Sequence, residues 1–127
     1  MDVDAIRRYC LSFPATSEKL QWGEVLCFKV GEKMFATLNL DLHSPTRLAF
    51  KCSPEQFSEL LEHEGARRAP YVGRYHWIAL ESLDALPDNE IERLIECSYR
   101  IVLSKAKPAR RPRGDKTKAG KKRVRRR

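Results

Sequence analysis

The stretch VLCFKVGEKMFATLNL, residues 25–40, decides the fold class of this chain. Its two halves, Val25 to Val30 and Met34 to Leu40, are rich in aliphatic, aromatic and β-branched residues. Gly31-Glu32-Lys33 lies between them, and a glycine there lets the backbone turn back on itself, so the stretch reads as a β-hairpin. In the second half Met34, Ala36, Leu38 and Leu40 alternate onto one side, the pattern of a sheet covered on one face. In the first half Lys29 falls opposite Phe28 and Val30, which puts its ammonium group on the solvent side.

The flanking segments extend this reading. Toward the N-terminus, Val3, Ile6, Cys10 and Phe13 recur at helical spacing behind Asp2, a suitable N-cap, and Pro14 stops the helix. Residues 15–23 read as a connection with room for a short strand. Beyond the hairpin, residues 41–46 form a turn, and residues 47–52 alternate again with Leu48, Phe50 and Cys52 on one side. Ser53, Pro54 and Gln56 then spell a capping box with proline at the first helical position. Phe57, Leu60 and Leu61 form the buried stripe of that helix, with Gly65 as its C′ residue. Residues 66–81 contain Pro70-Tyr71 and Gly73 and end in the strand-like run Tyr75 to Glu81. Period two puts Tyr75 and Trp77 on one side and His76 on the other; Trp77 is expected to pack beneath the last helix. That helix, residues 87–103, repeats Ile91, Leu94, Ile95, Tyr99 and Val102 at three and four, with Asp88, Glu90 and Glu92 early in it. Antiparallel hairpins with helices on one face make the class α+β.

Charge divides the chain into two parts. Residues 105–127 hold 13 of the 25 Lys and Arg against one acid, Asp115, a net of +12. Residues 1–104 hold 12 basic and 16 acidic side chains, a net of −4. The expected organisation is one α+β domain over 1–104 and a disordered Lys/Arg-rich tail over 105–127. Pro108, Pro112, Gly114 and Gly120 interrupt the tail, and it lacks the apolar surface that would offset its ordering entropy. Short basic blocks spaced by Pro, Gly, Ala and Thr suit a flexible arm on nucleic-acid phosphates, with Arg110, Arg111, Arg113, Lys121, Lys122, Arg123, Arg125, Arg126 and Arg127 as its contacts. The tail has no aromatic residue to insert into a bilayer, so membrane contact is not expected. The start MDVDAIRRYC is unlike a secretory signal, and the expected location is cytoplasmic, on the nucleoid if DNA is the ligand.

Enzymatic motifs are missing from the sequence. His43, His63 and His76 have no metal-ligand spacing with another His, Cys or acid, and no P-loop, GxGxxG or GxSxG occurs. Cys10, Cys27, Cys52 and Cys97 make no CxxC pair and sit among apolar residues, which suits small buried hydrophobes in a reducing cell. No cofactor is expected. Glu90, Glu92 and Glu96 on the last helix supply the acidic face that a metal-binding alternative would need.

Four stretches together, Trp22-Gly23, FKVGEKMFATL (28–38), LAFKCSPEQF (48–57) and APYVGRYHWIAL (69–80), resemble the MmcQ/YjbR family of small bacterial proteins, and residues 86–105 resemble that family's closing helix. The resemblance implies a CyaY-like (frataxin-like) architecture. It also implies a proposed DNA-binding role, in which two β-hairpin wings grip the duplex. Where many members carry Asn-Lys-Arg before His-Trp, this chain has Gly73-Arg74-Tyr75 before His76-Trp77, and the basic tail lies outside the matched region. In the folded part the candidate contacts are Lys29, Lys33, Arg67, Arg68, Arg74 and Tyr75. Lys33 is at the hairpin turn, where a wing tip would meet a phosphate, and Arg67, Arg68 and Arg74 flank the Pro-Tyr loop. The expected function is therefore non-enzymatic DNA binding, largely blind to sequence because phosphates position without specifying. RNA as the ligand stays open, as do a protein-interaction module whose tail alone touches nucleic acid and a small-ligand or metal binder.

Overall fold

The computed structural model of the chain describes residues 1–69 and 76–105. Within them are three helices, α1 (Val3–Leu11), α2 (Pro54–Leu60) and α3 (Asp88–Lys105). Six strands accompany them: β1 (Thr16–Gln21), β2 (Val25–Val30), β3 (Lys33–Asn39), β4 (Leu48–Lys51), β5 (Ala66–Arg68) and β6 (Trp77–Leu80). The strands form one antiparallel sheet in the order β1-β2-β3-β4-β6-β5. The chain is α+β, and the tail's expected disorder falls outside the described residues.

The local signals explain most boundaries. Asp2 caps α1 by accepting the Ala5 N–H at 2.8 Å. Ser53 and Gln56 make both arms of the capping box, each at 3.1 Å, with Pro54 behind the cap. The short strand that residues 15–23 left room for is a full edge strand over residues 16–21, paired with β2 from Thr16↔Val30 to Gln21↔Val25. Residues 66–68 are a second edge strand. α2 is shorter than expected: Leu61 is its C-cap and is 38% exposed. Gly65 is not its C′ residue but sits in the turn into β5 at φ +88°, where a Cβ would lie 3.2 Å from that of Ala85.

All three helices share one core with one face of the sheet. Ile6 and Cys10 of α1, Phe57 and Leu60 of α2, and Ile91, Leu94, Ile95, Tyr99 and Val102 of α3 are buried there. They meet Phe28, Leu38, Leu48, Phe50 and Ile78 from the strands. Burying such side chains is worth about 1.5–3 kcal/mol each, which is how a domain of this size offsets its chain entropy.

A β-bulge changes the expected alternation of β3. Phe28 pairs with Ala36 but Lys29 pairs with Met34, so Phe35 is the extra residue. Phe35 turns into the core, edge-on to Tyr99 at 5.4 Å, while Met34 moves to the opposite face beside Trp77. The expected shared face therefore holds for Ala36, Leu38 and Leu40 but not for Met34. The bulge is also where β3 and β4 stop pairing, since their register ends at Ala36↔Phe50. Ser98 of α3, fully buried, fills in: the Lys51 N–H donates to its Oγ at 2.9 Å, and its hydroxyl donates to the Phe35 carbonyl at 2.5 Å.

Trp77 is buried on the face away from α3, packed with Ala69, Ala79, Met34 and Ala49. The expectation that it lies beneath the last helix is thus corrected by register: Trp77 shares its side with Ala79, while Ile78 and Leu80 face the helices. His76 precedes it at φ +66°, with its ring edge-on to Phe57 at 5.2 Å and its carbonyl accepting the Cys52 N–H at 2.8 Å. Tyr75, expected to share a side with Trp77, lies outside the described residues.

Candidate functional site

Charge in this fold sorts by element. The six strands carry six cations, Lys19, Lys29, Lys33, Lys51, Arg67 and Arg68, and one acid, Glu18. Glu18 turns toward α1, where the Arg7 guanidinium holds it at 2.5 Å and keeps its carboxyl below the usual range. The helices carry seven acids and five bases. A domain of net −4 therefore contains a sheet whose strands sum to +5.

On the side away from the helices, one register row runs Lys19, Cys27, Thr37, Ala49, Ala79, Arg67 across all six strands. Small uncharged residues occupy its middle and a cation stands on each edge strand. The next row toward the β2–β3 turn pairs Lys29 with Met34 and Lys51 with Trp77. No described helix covers this side.

At the end of the sheet nearest that turn, cations from three elements converge. Lys51 closes β4, Lys33 opens β3 and Lys105 closes α3. Burial lowers the Lys51 pKa, and the neighbouring ammonium groups of Lys105 and Lys33 lower it further. Among the described residues no carboxylate makes an ion pair with Lys29, Lys33, Lys51 or Lys105. The net +12 segment joins the fold at Lys105. Acids gather at the other end of α3, where the N-terminal ammonium group donates to Asp88 at 2.8 Å and is raised in pKa by that bond.

The expected contact residues separate accordingly. Lys29 is half-buried on the helix-free side and Lys33 is exposed at the turn. Arg67 is held by Glu81 at 2.8 Å, and Arg68 lies 4.9 Å over the Phe57 ring, so both are already engaged. Arg74 lies outside the described residues with Tyr75, as do Arg110, Arg111, Arg113, Lys121, Lys122, Arg123, Arg125, Arg126 and Arg127. The structure adds Lys51 and Lys19, which the sequence reading passed over. Strand alternation places both opposite the core.

The other chemistries find little material among the described residues. Glu90 and Glu96 pair with Arg93 and Arg100 within α3. No group of three His, Cys, Asp or Glu there is placed to hold a metal ion. Burial pushes the Cys10 and Cys52 thiols up to about 12, so both are protonated and unreactive at neutral pH. No described helix is long and apolar enough to cross a membrane.

Comparison with known proteins places the fold in a family. The chain is 26% identical over 108 residues to the uncharacterized protein YjbR of Escherichia coli K12, covering 82% of this chain and 89% of the relative. The YjbR of E. coli O157:H7 matches equally. A Deinococcus radiodurans crystal structure of the DUF419 domain family superposes with a TM-score of 0.72 at 26% identity, over 81% of this chain and 79% of that one. A Pseudomonas syringae protein shares the fold with a TM-score of 0.64 at 22% identity, over 80% and 98%. The family model for YjbR matches residues 11–101, which include every strand of the sheet, α2 and most of α3, and the chain belongs to the YjbR family.

Proposed function

We propose that the chain is a non-enzymatic nucleic-acid-binding protein, with duplex DNA as its first ligand. Lysines at the β2–β3 end of the sheet and the basic segment that begins at Lys105 grip phosphates together. The observation that carries this reading is the convergence of Lys33, Lys51 and Lys105 without a carboxylate partner among the described residues. Gathering like charges is unfavourable in the free protein, and a phosphate between them reverses the sign of the interaction. Affinity then comes from counterion release and is nearly independent of sequence. The hairpin bearing Lys29 and Lys33 is the wing, and the acidic helical face turns away from the duplex.

Lys51→Met tests this. Its aliphatic stem is kept and its charge removed, so duplex binding should weaken while the log–log salt slope becomes shallower by about 1. Because the charge is unfavourable where it sits, the melting temperature should stay the same or rise. Unchanged affinity and slope, measured by fluorescence anisotropy from 50 to 200 mM salt, would remove Lys51 from the site.

A further inference from the structure

The helix-free side of the sheet also holds a groove of about 610 Å³ that phosphate gripping does not use. Trp22, Met34, Arg47, Ala49, Trp77 and Ala79 are among the residues that line it, with Trp77 buried. Trp22 is 68% exposed and sits at φ +49°, a conformation unfavourable for a bulky side chain. An indole held in a strained turn and left in water gains nothing for the fold. It does gain a stacking partner if a flat ring enters the groove.

We propose that this groove takes unpaired nucleobases, so that the protein holds single-stranded or locally opened nucleic acid by its bases as well as by its phosphates. The inference rests on the nucleic-acid reading above and extends it from phosphates to bases. Charge complementarity selects the occupant. The strand cations on this side are Lys19, Lys29, Lys51 and Arg67, and only Arg67 is paired with a carboxylate among the described residues. Arg47 is likewise without a carboxylate partner there and makes a long bond of 3.5 Å to the Asp41 carbonyl. An apolar groove lined by two tryptophans and Arg47, on a side of the sheet that carries further cations, matches a strand of bases on a phosphate chain.

The chain contains two tryptophans, and both line this groove, so its intrinsic fluorescence reports on the site directly. The full-length protein is titrated with a labelled oligothymidylate and with an abasic strand of the same length. Anisotropy follows binding and tryptophan emission follows the groove. Oligothymidylate should quench emission and bind tighter than the abasic strand, and Trp22→Ala should weaken oligothymidylate binding by roughly 5- to 150-fold. The same substitution should leave abasic binding within about twofold. Equal affinity for the two strands with unquenched emission would overturn the groove while leaving phosphate binding intact; no anisotropy change with either strand would overturn both. Quenching by a small aromatic sulfonate but not by oligothymidylate would assign the groove to a small amphipathic anion and end the proposal.

Discussion

A chain ending at Lys105 is expected to lose most of its affinity for duplex DNA and most of its salt sensitivity. If about six of the removed cations neutralise phosphates, the full chain has a log–log salt slope of roughly −5 from them. Those contacts by themselves account for a loss on the order of 10³ in affinity between 50 and 200 mM salt. The shortened chain keeps Lys29, Lys33, Lys51 and Lys105, and two or three contacts give a slope of about −2 to −3. Both slopes come from the same anisotropy titration. An unchanged slope after truncation would mean that residues 106–127 do not touch phosphate.

The second large effect is on stability. Ser98→Ala is expected to lower the unfolding free energy by about 2–4 kcal/mol, because two backbone groups at the bulge, the Lys51 N–H and the Phe35 carbonyl, lose their shared partner at once. For a domain of about 100 residues this is a fall in melting temperature on the order of 10–20 °C. The control is Ser104→Ala, which removes an exposed hydroxyl bonded only to the Ile101 carbonyl one turn back and should cost little. Denaturant unfolding of both variants decides the point. A Ser98→Ala cost no larger than the control would mean that water replaces the hydroxyl.

The hairpin, the capping box at Ser53 and the stripe on α3 were legible because each is a local pattern that the tertiary fold keeps. The bulge was not: Met34 and Phe35 are both apolar, so alternation assigns either to the core, and only the packing of Phe35 on Tyr99 decides between them. Trp77 was placed under the helix because large aromatics are usually core residues. Here the register gave that place to Ile78 and left Trp77 on the helix-free side. β1 and β5 were hard to see because edge strands with polar residues lack the apolar runs of central ones. For the site, Lys29 and Lys33 could be found from alternation and a turn. Arg67 and Arg68 were legible as cations but not as engaged ones, since Glu81 and Phe57 reach them only through the fold. The meeting of Lys51 with Lys105 joins a strand end to a helix end and has no local signature.

The central claim is that the folded domain itself, and not the basic segment alone, contacts nucleic acid through the lysines at the β2–β3 end of the sheet. Amide chemical shifts of the full chain, followed as a short duplex is added at low salt, test it most directly. The account predicts shifts at Lys29, Lys33 and Lys51 and none on the helical face at Glu90 and Glu96. Shifts confined to residues 106–127, with residues 1–104 unmoved, would contradict it.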